Sequence, residues 1–494
     1  MTLPGPELSG RSPVRGDTAA NQYVRVPDPG MAAYADEFLH GVEELPTYRP
    51  TIGAVIPAYN EGETIGGVLD ALLAQTRLPD VIHVIVNNTT DDTVEVAGYY
   101  AGEHVRQTRN GEQMTEIFVH DIGKNPDKKV GALNYGYSLV EGYDYLLGVD
   151  GDTTPEPDAV EELVNEIASD DRIGGISAIY SIDDSALDGL MSKFLIAGQR
   201  AQFAAFNMQN LLRGRNMAVL GGQFSIFSTH ALREVLEDSH QRTPWVNDSE
   251  VEDSLLSLQI KSAGYLTKIS AAARAHVGGM TTLRSLDAQQ VKWNFGAIDL
   301  MWPGQRGDTP GQPLHPNLRL RWFEHISMVI NITTRLLFLL LLLGSLSIDA
   351  FVFSPWWVIP PMAAILLNFR VARSMHYANR RDYLFALLLA PAEVYMWIRI
   401  GHFLRAWTKF ASRAQTDNWA AQAKAERGSG QAYLAPLAVL AVIVAVMAAI
   451  WLQLPIDAKS DVLSFGWPIL GIITILQTAW MSTKLLRRYK GYKA

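Results

Sequence analysis

Two aspartates one residue apart, Asp150 and Asp152, stand in the triplet DGD, directly after the apolar run YDYLLGV and ahead of Thr-Thr-Pro. Paired carboxylates at the end of a buried strand suit a hard cation, Mg2+ or Mn2+, whose octahedron phosphate oxygens can complete. Three more polar clusters have the same kind of context. PAYNE, Pro57 to Glu61, closes an apolar run, and Asn87, Asn88, Asp91 and Asp92 follow a second. Lys129 and Asn134 lie in KVGALN, at the start of a helical pattern. Further on, Glu252 and Asp253 are adjacent in VEDSL, and Gln289, Gln290, Lys292 and Trp293 sit together in TLRSLDAQQVKW. His276 reads as a packing or surface histidine in preference to a metal ligand.

The elements around these clusters predict where they meet. TIGAVIP, VIHVIVN, EIFVHDI and YDYLLGVD are short, β-branched or aromatic runs and read as buried strands. GETIGGVLDALLAQ, DTVEVAGYYAGE and KKVGALNYGYSLVE read as the helices between them. Strand–helix alternation implies an α/β domain with a mainly parallel sheet covered on both faces. Ligands then bind beyond the carboxyl ends of the strands, where all four clusters fall.

Composition separates this domain from a second one. The chain has 494 residues and no cysteine, so any metal must be held by oxygen or nitrogen. Its 42 Lys+Arg against 51 Asp+Glu give a net charge of -9, which argues against a nucleic-acid partner. Hydrophobic residues reach 48% and charged ones only 19%, against about 25% charged in a usual soluble domain. Most of the charge precedes Trp322 and most long apolar runs follow it. The reading is a disordered tail over 1–30, a short helix within 31–50 and a catalytic domain over 51–302. A linker and interfacial helix fill 303–325, and a helical membrane domain spans 326–494. With about 20 apolar residues needed per span, spans are expected at 328–348, 355–371, 432–453 and 463–483. The run 384–404 contains Pro391, Glu393, Arg399 and His402, and is expected to be interfacial or re-entrant. Basic residues in 370–382, 406–431 and the tail place those stretches, and with them both termini and the catalytic domain, in the cytoplasm. Residues 1–30 contain no apolar stretch of signal-peptide length.

PAYNE, NNTTDDT, KxxALN and DGD, in that order, resemble the family 2 glycosyltransferases with a nucleotide-sugar-binding, GT-A-like fold. VEDSL sits where that family carries its T-E-D triplet, and QQVKW resembles the Q-x-x-R-W motif of membrane-embedded processive members. Those are synthases of cellulose, chitin, hyaluronan and poly-N-acetylglucosamine. The resemblance covers about residues 51–300. It implies a UDP-sugar donor, with UDP-N-acetylglucosamine or UDP-glucose favoured. Pro57, Ala58, Tyr59, Glu61 and Asn87 would line the nucleotide. Lys129 and Asp150 would line the diphosphate and sugar, and Asp150 with Asp152 would hold Mg2+ or Mn2+. Asp253, beside Glu252, would deprotonate the acceptor. Gln289, Gln290, Lys292 and Trp293 would hold the diphosphate and the acceptor's terminal sugar. Gly221 and Gly222 match a glycine-containing acceptor loop.

One base without an enzyme nucleophile implies a single inverting displacement, so an α-linked donor gives a β-linked product. The implied activity is extension and export of a β-linked polysaccharide across a bacterial plasma membrane. The alternative is addition of one sugar to a membrane lipid. Asn87 stands where the family usually has Asp, which bears on base selectivity. Two further departures keep that alternative open, Gln290 and Lys292 in place of arginines and no span ahead of the catalytic domain.

Overall fold

The computed structural model describes the chain from Tyr48 to Ala494 apart from residues 110, 185–186, 188, 248–250, 303–317, 413–423, 426–434 and 488–490. The expected tail over 1–30, the helix within 31–50 and most of the linker lie outside the described residues, as does much of the basic stretch 406–431.

Apolar, β-branched strands form the centre of the sheet. β1 (Ile52–Ala58) and β2 (Val81–Val86) are buried along their whole length, as expected for strands covered on both faces. β1 pairs in parallel with β2 on one side and with β5 (Tyr145–Val149) on the other. β4 (Gly111–Asp121) extends the parallel set beyond β2. The chain therefore leaves β1 in one direction for β2 and β4, then returns to its other side at β5. That reversal is a switch point, and it opens a crevice at the carboxyl ends of β1 and β5. The loops there carry Pro57–Glu61 and Asp150–Asp152.

The sheet has nine strands and is mixed. With β3 (Gly102–Thr108), β6 (Thr154–Pro155), β7 (Ile173–Ile182), β8 (Phe224–Ser228) and β9 (Leu266–Val277), the order is β3-β4-β2-β1-β5-β8-β7-β9-β6. β8 is antiparallel to both β5 and β7, whereas β7 and β9 are parallel. β3 falls partly where a helix over 92–103 is expected. The helix α2 (Thr93–Gly98) stops early, and GEHVRQT forms an antiparallel edge strand that no residue buries fully. A polar edge strand carries little hydrophobic signal.

Helices cover the sheet. α1 (Ile65–Leu73) and α4 (Ala159–Ile167) turn apolar faces onto it. α3 (Lys128–Val140) approaches β1 so closely that a Cβ on Gly136 would lie 2.2 Å from Val55. α5 (Gly189–Leu212), α6 (Thr229–Ser239) and α7 (Glu252–Ser262) complete the shell. α8 (Leu283–Met301), capped by the Thr282 hydroxyl on Ser285 N–H, carries QQVKW.

Beyond it lie α9 (Arg319–Ser347), α10 (Ile359–Ser374), α11 (Arg380–Leu387), α12 (Leu389–Ala411), α13 (Ala435–Gln453) and α14 (Ile456–Leu485). Among the described helices, two are long and apolar enough to cross a bilayer, Arg319–Ser347 and Ile456–Thr483. α11 and α12 would pass only as a pair, and they are bent by 85° at Leu388. Both arms of this bent pair are tied to helices of the sheet-bearing part. Arg200 of α5 forks onto Asp382 of α11 at 2.9 and 2.8 Å, while Asp287 of α8 pairs with Arg405 of α12. Small residues allow close helix contacts, as where Gly344 of α9 meets Trp451 of α13 and Gly466 of α14 meets Leu341 of α9.

Candidate active site

The crevice at the switch point is one end of a cavity of about 2680 Å³. Part of its lining comes from strand ends. Pro57, Ala58, Tyr59 and Glu61 enter after β1, Asn87 and Asn88 after β2, and Asp150 and Asp152 after β5. The turns approach one another closely: a Cβ on Gly151 would lie 2.8 Å from Glu61 Cγ. Asn60, Asn88 and Lys128, all bordering the cavity, have left-handed backbone at φ 56, 55 and 53. Non-glycine residues in that region carry strain, and such strain clusters at functional sites.

Lys129, on the first turn of α3, reaches across to Asp150, with Nζ 2.6 Å from Oδ1. Burial alone would lower the Lys129 pKa, but the surrounding carboxylates of Asp150, Asp253 and Glu252 outweigh it and raise it. The ammonium is therefore firmly charged. Asp152 is pushed up to about 6, by burial and then by the like charge of Asp150. The fit to a divalent cation follows from the donor set. Two hard carboxylates stand at one strand end, and no cluster of three or more metal-ligating side chains occurs among the described residues. The remaining positions of an octahedron would fall to phosphate oxygens and water.

Asn87 is buried, and its Nδ2 donates to the Lys128 carbonyl at 2.7 Å. A carbonyl neighbour accepts only from the NH2 side of an amide, so the oxygen of Asn87 is the end left for a ligand.

The acidic pair borders the same space. Glu252 and Asp253 form the first turn of α7, where the helix dipole favours carboxylates. The Gly222 N–H donates to Asp253 Oδ2 at 2.9 Å, and a Cβ on Gly222 would lie 2.7 Å from the same oxygen. Burial first, and then the adjacent Glu252, raise the Asp253 pKa well above the ordinary carboxylate range; Lys129 and the Gly222 N–H oppose them. The loop is braced by Tyr180, whose hydroxyl donates to the Gly221 carbonyl at 3.1 Å. Gln289, Gln290, Lys292 and Trp293 of α8 line the same cavity. Trp293 lies 6.4 Å from Phe203, and Gln202 Nε2 donates to Gln290 Oε1 at 3.4 Å.

All the residues singled out by the catalytic, donor and metal motifs thus border one space. Three neighbours do other work. Asp91 accepts from the Gly62 N–H and from Thr93, knitting the β1 and β2 loops. Asn134 exchanges two hydrogen bonds with the Trp245 backbone. His276 sits 3.5 Å from Glu156. The sequence did not reveal the cavity's continuation between α9, α10, α12 and α14, past Arg335, Glu393, Arg399, Trp357 and Trp467. Nor did it reveal the two ion pairs that frame it.

Residues 54–236 match the family described as Glycosyl transferase family 2. Over 247 residues the chain is 24% identical to the poly-beta-1,6-N-acetyl-D-glucosamine synthase of Staphylococcus aureus strain COL, covering 50% of this chain and 54% of that protein. The synthase of the same name from Staphylococcus epidermidis is 22% identical over 256 residues, covering 51% and 57%. The chain spans about half the length of the curated relatives it matches. Among solved structures, a mannosyltransferase from Pyrobaculum calidifontis in complex with GDP-Man and Mn2+ aligns at 14% identity and a TM-score of 0.36, covering 91% of this chain and 94% of that one. Staphylococcus aureus TarS 1–349 in complex with UDP aligns at 13% identity and a TM-score of 0.33, covering 74% and 92%.

Proposed function

Since residues 54–236 form a family 2 glycosyltransferase domain, we propose that the protein moves a sugar from a UDP-sugar to the end of a growing β-linked polysaccharide. The donor favoured is UDP-N-acetylglucosamine, in keeping with the poly-beta-1,6-N-acetyl-D-glucosamine synthases it resembles. The observation that carries the reading is a single cavity bordered by Lys129, Asp150, Asp152 and Asp253 and continuous with a passage between apolar helices.

Glu61 and the Asn87 oxygen bind the uridine, the latter accepting from uracil N3–H. The Lys129 ammonium faces the diphosphate. A divalent cation held by Asp150 and Asp152 would offset the charge that grows on the leaving diphosphate. Asp253 takes the proton of the acceptor hydroxyl as its oxygen bonds to the anomeric carbon and the bond from that carbon to the phosphate oxygen breaks. A single such displacement inverts the centre. Trp293 offers a flat face to the acceptor's terminal sugar.

In this reading the chain crosses the bilayer at 328–348, 355–371, 432–453 and 463–483, and α9 and α14, which carry the first and last of these, are long and apolar enough by themselves. The bent pair α11–α12 enters and returns, because Asp382 near its start and Arg405 near its end both bind catalytic-domain helices. The catalytic domain then lies on the cytoplasmic side, and the polymer leaves through the passage.

The test is purified full-length protein with UDP-N-acetylglucosamine and Mn2+, read by UDP release and product sizing. Asp253→Asn is expected to cut transfer by about 10²–10⁴-fold while retaining UDP binding. Undiminished turnover in that variant removes Asp253 as the base. A lipid carrying one sugar, with no polymer, removes the polysaccharide reading.

A further inference from the structure

The helical half of the cavity is lined by charged groups that the transfer step does not use, among them Arg335, Glu393 and Arg399. Arg335 does not snorkel to a surface. Its Nε and Nη2 donate to the two Glu393 oxygens at 2.6 and 2.9 Å, and its Nη1 donates to Asn331 Oδ1 at 2.8 Å. Gln477 of α14 donates to the same Asn331 oxygen at 2.8 Å. That fork neutralises Arg335 and ties α9, α12 and α14 together.

Arg399 has no such match. Its electrostatic neighbours are the phenol of Tyr395 and the guanidinium of Arg335, and no carboxylate of the described residues forms an ion pair with it. The other carboxylates lining this section are also matched: Asp382 by the Arg200 fork, and Glu324 by Arg321 at 3.3 Å. The wall is thus left with one uncompensated positive charge. An arginine cannot shed its proton to escape that cost, and an unpaired charge among apolar helices is expensive and marks a ligand path.

The position of Arg399 says which ligand. Tyr395, one helical turn earlier on α12, donates its hydroxyl to Gln202 Oε1 at 3.1 Å, and Gln202 in turn meets Gln290 of the QQVKW segment. Arg399 therefore follows directly on the stretch assigned to the acceptor's terminal sugar. We propose that Arg399 is an anion subsite for the acceptor: it binds a carboxylate or phosphate that the acceptor carries close to its reacting end. This rests on the transferase reading above and adds the chemical class of the acceptor to it. The two sources of such an anion are an acidic sugar in the chain and the phosphate of a lipid carrier.

The test uses full-length protein in nanodiscs, UDP-N-acetylglucosamine as donor, and UDP release as readout. Three acceptors are compared: a β-linked tetrasaccharide containing one glucuronate, its neutral methyl ester, and undecaprenyl phosphate. A charge-assisted hydrogen bond predicts a KM for the matching anionic acceptor about ten- to a hundredfold below that of the ester. Arg399→Gln should bring that ratio close to one, and Arg399→Lys should restore part of it. Preference for the tetrasaccharide assigns the site to a sugar carboxylate, and preference for the lipid to a phosphate. The proposal is overturned if wild-type protein uses the ester as well as both anionic acceptors, or if Arg399→Gln leaves the ratio unchanged. Asp253-dependent turnover of the ester would still stand in that case, so the transferase reading survives this failure. Its own failure shows as no Asp253-dependent UDP release with any acceptor.

Discussion

The two ends of the cavity are built in opposite ways. At the proposed donor end, Glu61, Asn87 and Asp150 follow strands whose buried residues fix their register, and Lys129 opens a helix, all within the first half of the domain. At the acceptor end, Trp293, Tyr395 and Arg399 come from helices with no common sheet. They are held in place by ion pairs between residues far apart in the chain, 182 positions for Arg200–Asp382 and 118 for Asp287–Arg405. On the proposed reading, the difference teaches that donor binding rests mainly on the ends of the parallel strands. Acceptor placement depends on how the bent helix pair docks, so damage to one end should leave the other measurably intact.

The largest effect is expected from Lys129→Met. The change removes the cation facing the diphosphate and leaves Asp150, Asp253 and Glu252 without the ammonium they surround. Transfer should fall by about 10²–10³-fold, and UDP affinity should fall with it, as read by UDP release and by calorimetric titration. Unchanged UDP affinity would move the nucleotide away from the strand ends and break the comparison at its donor side.

Next in size is Asp382→Asn. It strips the buried Arg200 fork of its charge partner, a loss worth about 3 kcal/mol of stability; a larger loss is not expected because Asp184 lies 3.9 Å from Arg200. Denaturation of the detergent-solubilised protein reads this, and the double variant Arg200→Met with Asp382→Leu should recover most of it. UDP affinity should stay within about twofold of wild type, since residues more than 7–10 Å apart with no shared partners act independently. A parallel loss of UDP binding would show that the two ends are mechanically one.

The same contrast decides what could be read from sequence. The donor end was legible because strand-end clusters are local: an apolar run followed by PAYNE or DGD carries both the element and its cargo. Within those clusters the chemistry was less legible than the placement. Asp91 and Asn134 have the right residue types but spend their hydrogen bonds on Gly62 and Trp245, which only three-dimensional proximity reveals. The acceptor end left weaker traces. Glu393 and Arg399 stood out as polar residues in an apolar run, yet nothing in the run says that one pairs with Arg335 and that the other is in no ion pair among the described residues. The break at Leu388 was also hidden, since Pro391 falls in the first turn of α12, where proline is tolerated. β3 escaped because its burial is slight, so hydrophobic patterning had nothing to register.

Gly222→Ala probes the seam between the two ends. The added methyl would lie 2.7 Å from Asp253 Oδ2 and must displace the carboxylate from its 2.9 Å hydrogen bond. A sub-ångström to one-ångström shift of a positioned base costs about ten- to a hundredfold in kcat. UDP affinity should change far less than kcat, because the three atoms nearest the added methyl all belong to Asp253.

The smallest effect is a shift of pH profile, and it tests the chemistry of that base directly. Asp253 must be ionised to accept a proton, so kcat should fall as pH drops through its pKa. Burial and Glu252 hold that pKa above the ordinary carboxylate value, which is about 4, so the acid limb should lie above that value at saturating donor. Glu252→Gln removes the like charge beside Asp253 and should move the limb toward lower pH. Lys129 works in the opposite sense: it stabilises the ionised form, so the residual activity of Lys129→Met should show a limb at higher pH. Opposite displacements in the two variants tie the limb to Asp253 and to its electrostatic neighbours. A limb that neither variant moves belongs to another group, and the acceptor wall would then need a different base.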